Sequence, residues 1–375
     1  MWTIISIAAV LAAVGAFAYI FSRVYNVTPE FSALPPKLNK SFRIALCFAF
    51  VLGAFTVVGL IFGYLNALVI VIHLIIFGLI VDLIVFIVRK ASGKRLKTKF
   101  KSLISLAITI VYMAIAFVLA NCVWVTPYHL STDKEVGDLR IVMFADSHIG
   151  TTFDGEGLNK YINEMNELSP DLVIIAGDFV DDDTSQKDMI DGCAAVGRLK
   201  PKYGVFYAFG NHDKGYYEDS KRGYSGADLM AELQKNNVTV LQDEAILIDE
   251  RFYVIGRQEA EEKRRGAGDR ADIADIVKDL DQTKYSIVIN HQPTDYKNES
   301  EAKVDLVLSG HTHGGQFFPL GPFMKLFKLN DGVYGYEKRD NTEFIVTSGI
   351  ADWAFKFKTG TKSEFVVIDI KQNAA

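Results

Sequence analysis

Acidic side chains are almost missing from the first third of this 375-residue chain: before residue 130 only Glu30 and Asp82 are acidic, against eleven Lys and Arg. The remainder reverses the balance, with 43 Asp and Glu against 29 Lys and Arg. A net-negative region argues against a nucleic-acid partner, because phosphate backbones are held by clustered cations. It suits a bound cation cluster. Cysteine is equally scarce. Of Cys47, Cys122 and Cys193 only the last lies beyond the hydrophobic third, so no disulfide forms within the later region. No fixed-period repeat or low-complexity tract is present, which excludes solenoid and fibrous classes. The most polar stretch, 258–270, reads as an exposed loop or lid.

What the first third does have is apolar length. Crossing a hydrocarbon core of about 30 Å takes roughly 20 apolar residues in a helix. Four stretches meet that length, near Trp2–Phe21, Ile44–Gly63, Leu65–Val88 and Leu103–Val125. The first lacks a basic n-region and an A-x-A-like cleavage site, so it reads as a retained helix. Gly63-Tyr64-Leu65-Asn66 carries no charge and predicts a tight hairpin between the second and third spans. Both basic loops, Arg23 to Arg43 and Arg89 to Lys101, fall on one side if all four helices span, and the positive-inside rule makes that side cytoplasmic. The expectation is a multi-pass cell-membrane protein with membrane lipids around residues 1–126, a linker at 127–138 and an extracytoplasmic domain at 139–375. His73 and Asp82 lie nine residues apart on opposite faces of the third span and read as groups satisfied by neighbouring helices or by the basic interface.

From Leu139 the pattern becomes short apolar runs separated by amphipathic stretches, the alternation of strands and helices. Strands are predicted at Leu139–Ala145, Asp171–Ala176, Gly204–Phe209, Arg251–Ile255, Tyr285–Ile289, Val304–Leu308, Phe344–Thr347 and Phe365–Ile370. Helices are predicted at Gly157–Leu168, Ser185–Leu199, Ser225–Lys235 and Asp269–Leu280, with Ser185 and Ser225 as caps.

Chemistry gathers where these strands end. Asp146-Ser147-His148 follows the first, Gly177-Asp178 the second, Gly210-Asn211-His212-Asp213 the third, Asn290-His291 a later one, and Gly310-His311-Thr312-His313 the next. Any one of these pieces alone can be turn chemistry, since turns favour Asp, Asn and Gly for backbone reasons. Their conjunction in one order, all at strand ends, is what points to a site. Carboxylates, imidazoles and one amide without a thiolate suit Mn first, with Fe or Zn as alternatives. So many potential ligands exceed one ion. Two ions sharing Asp178 would use them, clamp the oxygens of phosphoryl transfer and lower the pKa of a bound water towards neutrality, making hydroxide available as nucleophile.

The set D-x-H, G-D, G-N-H-D, a later H and G-H-x-H resembles the calcineurin-like metallophosphoesterases over about Leu139 to Ile370. Ser309 to Gln316, with Thr347-Ser348-Gly349-Ile350 and Trp353, resembles their membrane-associated bacterial branch, similar to UDP-diacylglucosamine pyrophosphatases. The resemblance implies an α/β/β/α fold, two mixed β-sheets packed face to face with flanking helices. It implies one ion on Asp146, His148, Asp178 and His313, and a second on Asp178, Asn211, His291 and His311. It further implies that His212 is the non-ligand histidine beside the scissile bond, oriented by Asp213. The expected function is phosphoester hydrolysis, as a phosphodiesterase or pyrophosphatase on a lipid-linked or envelope substrate. The alternatives are a phosphomonoesterase, or a metal-binding sensor or scaffold, and an intact His212 weighs against the latter.

Overall fold

The computed structural model describes residues 2–217, 219–260 and 270–373, so most of the predicted 258–270 loop and the start of the predicted 269–280 helix lie outside the described residues. The chain divides into two compact units, Met1–Ala116 and Phe117–Ala375.

Four helices open the chain: α1 (Trp2–Val27), α2 (Pro36–Phe62), α3 (Tyr64–Ser92) and α4 (Thr98–Asn121). Three of them, α2, α3 and α4, are long and apolar enough to cross a membrane. Only Gly63 separates α2 from α3, at φ 87°, a left-handed conformation that glycine adopts without a Cβ clash. The predicted hairpin is therefore a one-residue turn. Inside the first unit the Asp82 carboxylate accepts from Tyr19 Oη at 3.0 Å and Lys101 Nζ at 2.8 Å and pairs with Arg23. His73 Nδ1 lies 2.8 Å from the Val69 carbonyl, and its ring lies 5.4 Å from that of Tyr112. Both polar groups are thus partnered within their own helical unit and form no shared site.

The fourth predicted span ends early. Residues 123–125, read as its last turn, begin β1 (Val123–Thr132), which occupies part of the predicted 127–138 linker and pairs in parallel with the last strand. An apolar start made it look like helix, while Pro127 is tolerated because β1 is a sheet edge. Next come β2 (Leu139–Phe144), α5 (Asn159–Glu167), β3 (Leu172–Ile175), α6 (Gln186–Val196), β4 (Val205–Tyr207), α7 (Asp219–Arg222), α8 (Gly226–Lys235) and β5 (Val238–Val240). The second half contains β6 (Glu244–Ile248), β7 (Phe252–Gly256), α9 (Ile273–Val277), β8 (Tyr285–Ile289), α10 (Tyr296–Glu301), β9 (Leu306–Ser309), α11 (Leu320–Leu326), β10 (Gly335–Arg339), β11 (Thr342–Val346) and β12 (Ser363–Gln372). Ser185 and Ser225 accept from Asp188 N and Asp228 N, the two predicted caps.

Two six-stranded sheets result, ordered β1-β12-β2-β3-β4-β5 and β10-β11-β9-β8-β7-β6. Side chains alternate across each strand, so Ile141, Met143 and Ile174 of the first sheet meet Ile287, Leu308 and Ile345 of the second in the central core. The opposite faces of the same strands, through Val142, Phe144 and Val173, pack under α5, α6 and α8. Val288, Val307 and Phe344 do the same under α9 and α10. The layers are α/β/β/α, two mixed sheets packed face to face with flanking helices.

Ile368 of β12 is fully buried between the sheets. Ile368→Ala is expected to cost about 2–5 kcal/mol of stability, the range for a truncated core aliphatic. Chemical denaturation of the purified protein measures it, and a change below about 0.5 kcal/mol, typical of surface positions, would contradict this packing.

Candidate metal centre

Parallel neighbours deliver the polar side chains to one edge of the sandwich. In the first sheet β2, β3 and β4 run side by side and in parallel, so the residues after their C-terminal ends emerge together: Asp146 and His148, then Asp178, then Asn211 and His212. In the second sheet β8 and β9 are parallel and release His291, His311 and His313. Ligand sites in α/β sheets form where such ends open a crevice. Crowding there dictates the glycines of the motifs. A Cβ on Gly210 would lie 2.2 Å from Asp178 Oδ1, and one on Gly310 would lie 2.6 Å from Asp146 Oδ2. Asp146, His148, Asp178, His311 and His313 all have positive φ, between 33° and 72°, a costly conformation that side chains retain where surrounding structure over-determines it.

Two groups of side chains converge. Asp146, His148 and His313 offer atoms within 4.8 Å of one another, as do Asp178, His291 and His311. Asp178 stands between them: its Oδ2 is 3.2 Å from His291 Nε2 and 3.7 Å from His148 Nε2. Asn211 joins the second group, its Oδ1 lying 2.8 Å from His311 Nδ1 and 3.1 Å from His291 Nε2. All seven residues singled out as ligands in the sequence therefore meet at one place.

Burial opposes ionisation of Asp178, yet His291 and His148 beside it hold its carboxyl well below the ordinary carboxylate range. Burial, together with His291, pushes His311 down to about 4, which leaves a neutral imidazole, the form that binds metals. The donor set fits divalent cations on a further observation. The Nε2 of His148 is buried, makes no hydrogen bond among the described residues and faces the Asp178 carboxylate at 3.7 Å, too far for a direct bond. A buried imidazole nitrogen without a hydrogen bond is costly unless something is bound to it.

Three outer side chains were not singled out in the sequence. Asp181 Oδ2 lies 3.4 Å from His148 Nδ1, and Asp352 Oδ1 lies 3.6 Å from His313 Nδ1. Asp352 is fully buried and pairs with the equally buried Lys358 at 2.8 Å. These carboxylates are positioned to orient the two rings. Their signals were faint: Asp181 follows Asp178 by three residues, and Asp352 precedes Trp353 in a run read for its glycine and tryptophan.

One expected role is corrected. Asp213 does not orient His212. Its carboxylate accepts from the backbone N–H groups of Asp178 at 2.9 Å, Phe179 at 2.7 Å, Val180 at 3.1 Å and Gly210 at 2.6 Å. It is a clamp that joins the loop after β3 to the loop after β4. His212 itself is half-buried, with its backbone N–H donated to Asp178 Oδ1 at 2.8 Å. Its ring lies 5.1 Å from His148, 5.0 Å from Tyr216 and 5.4 Å from Trp353. Burial lowers its pKa against the opposing pull of Asp178, which makes the protonated ring a stronger acid than a solvated imidazolium.

Residues 139–315 match the calcineurin-like phosphoesterase family. An uncharacterised metallophosphoesterase of Campylobacter jejuni is 35% identical over 285 residues, which cover 72% of this chain and 69% of that one. A Danio rerio transmembrane protein with metallophosphoesterase domain is 29% identical over 247 residues, 64% of this chain and 54% of its own length. Among solved structures, a dimetal phosphatase from Danio rerio shares 12% identity over 56% of this chain and 86% of its own, with a TM-score of 0.38. The chain belongs to the calcineurin-like metallophosphoesterases. It is a metal-dependent phosphoesterase, a hydrolase.

The corrected role of Asp213 has a measurable signature. Asp213→Asn keeps the shape, but its NH2 cannot accept, so two of the four acceptor bonds to buried N–H groups are lost and stability should fall by about 1–3 kcal/mol. Urea titration gives the value. Unchanged stability with lost turnover alone would restore the orienting role.

Proposed function

We propose that this protein is a membrane-anchored dinuclear phosphoesterase that cleaves a phosphodiester or pyrophosphate bond on a lipid-linked substrate at the outer face of the membrane. The observation that supports the chemistry most directly is Asp178, whose single Oδ2 is within 3.7 Å of an imidazole from each of the two groups. On this reading Asp146, His148, Asp178 and His313 hold one ion, and Asp178, Asn211, His291 and His311 hold the other. Bound there, divalent ions supply Lewis acidity towards phosphoryl oxygens and lower the pKa of a water. The chain's own residues do the rest. Asp181 and Asp352 hold His148 and His313 in register, and Asp213 keeps the Asp178 and Asn211 loops together. His212, outside both groups and partly open to solvent, gives a proton to the leaving oxygen. Mn fits these nitrogen and oxygen donors best, followed by Fe and Zn.

The membrane half of the reading is supported by the three apolar helices and by the joint between α4, which ends at Asn121, and β1, which starts at Val123. Counting α1 as a fourth span is supported by its 26-residue length and by the pairing of its Arg23 with Asp82 of α3. The basic loops then face the cytoplasm and the phosphoesterase unit faces outward.

Three measurements test this. Asp178→Ala should lose both ions, whereas Asn211→Ala should weaken mainly one, as counted by elemental analysis of the purified proteins; full two-ion occupancy in Asp178→Ala would rule out the bridge. His212→Gln should keep the ions and lose roughly 10²–10⁴ in turnover on substrates with poor leaving groups, the usual contribution of a general acid. The loss should be smaller with nitrophenolate as leaving group, and equal losses would indicate a positioning role. For orientation, single cysteines at the exposed Lys97 and Lys297, with the three native cysteines replaced, should react oppositely with an impermeant thiol reagent on intact cells. Labelling at Lys97 alone would place the site in the cytoplasm.

A further inference from the structure

The segment after the metal-centre residue His313 has no place in the reaction described so far. Phe318, Leu320, Phe323, Leu326, Phe327 and Leu329 are between 47% and 71% exposed, and α11, which carries three of them, buries no residue at all. Residues from Phe317 through Asn330 include Lys325 and Lys328 but no acidic side chain. Six large apolar side chains exposed within twelve residues mark an interaction site rather than ordinary surface. Large apolar side chains interleaved with lysines match the boundary of a bilayer, where acyl chains and anionic headgroups lie within one side chain's length of each other. A protein groove would satisfy the apolar groups but leave this unbalanced positive charge to be matched by acids.

Inward from this segment runs an unbroken series of rings. Phe317 lies 5.1 Å from Phe355, Phe355 lies 6.5 Å from Trp353, and Trp353 lies 5.4 Å from His212. Phe317 and Phe355 are half-buried and Trp353 is exposed, so the series forms an apolar track along the surface from α11 to the proposed proton donor. A soluble phosphoester has no use for such a track. A substrate with an acyl chain does, since each methylene laid against it leaves water.

We infer that residues 317–329 dock on an anionic bilayer surface and that the Phe317–Phe355–Trp353 track receives the acyl part of a lipid phosphoester drawn from it. This rests on the proposed membrane-borne substrate, but its first test does not. The full-length protein is placed in nanodiscs of phosphatidylcholine with phosphatidylglycerol, with the native cysteines replaced and an environment-sensitive fluorophore on a cysteine at Phe327 or, as control, at Lys297. Doxyl-labelled lipids should quench the probe at 327 and leave that at 297 unaffected; equal quenching, or none, overturns the docking. Disulfide-linked dimers through the cysteine at 327 would assign the surface to a second copy and equally overturn it. In the same discs, Phe323→Ser with Phe327→Ser should lower turnover of a lipid phosphodiester by roughly tenfold or more, the scale expected when large apolar side chains lose their burial. Metal content and hydrolysis of a nitrophenyl phosphodiester should stay at wild-type levels. Parallel loss on both substrates, or none on the lipid, would overturn the delivery of lipid from residues 317–329 to the track. Wild type active on the nitrophenyl ester but on no lipid would sink the substrate reading, while the quenching result still decides the docking.

Discussion

The loop that carries Asp178 is the knot on which the site depends. Its Gly177 carbonyl accepts from Asp146 N at 3.0 Å, and the Asp178 carbonyl accepts from His148 N at 3.2 Å, so the first motif hangs on the second. Its own amides are held by Asp213, and its carboxylate receives His212 N on one oxygen while facing His291 and His148 with the other. Loops from both sheets are thereby fixed by one stretch of about four residues. Such over-determination is what allows five neighbouring non-glycine residues to keep positive φ, conformations that each cost of order 1–3 kcal/mol and persist only under external constraint.

Much of this was legible because each motif follows its strand directly. A run such as Leu139–Phe144 announces a strand by its apolar character, and whatever polar residues come next must sit at its end. The convergence of Asp146, Asp178, Asn211 and the histidines follows from that placement and from parallel pairing. Asp213 was misread for the opposite reason. An acid beside a histidine looks like its orienter, but the side chain's direction is set by a loop whose unpaired N–H groups, those of 178, 179, 180 and 210, come from two separate motifs. No local pattern encodes that meeting. Asp181 and Asp352 escaped notice similarly, since each acts on a ring far away in sequence.

The strands missed from the sequence share a physical cause as well. β1 starts apolar and runs on from a span, β6 is only partly buried along its length, and β10 alternates at a solvated sheet edge. Each lies at the border of its sheet, where burial is one-sided or slight, so hydrophobic periodicity is weak. Interior strands such as β3 and β9, buried at every position, were read within a few residues.

The two ligand groups are chemically unequal behind their rings. His148 and His313 of the first group are backed by carboxylates, Asp181 and Asp352, whereas His291 of the second is backed by a neutral carbonyl, its Nδ1 lying 2.7 Å from Ala176 O. A carboxylate behind an imidazole raises the basicity of the other ring nitrogen, while a carbonyl does so more weakly. Lys358 tempers one of these carboxylates by pairing with Asp352, so the charge behind His313 is balanced before any ion is counted. Among the described residues that leaves Asp181 as the acid behind the first group without a lysine or arginine partner. Strong donors on one side and weaker donors on the other suit a pair of ions with different tasks. The ring of His212, outside both groups, lies 5.1 Å from that of His148 and so borders the better-backed of the two.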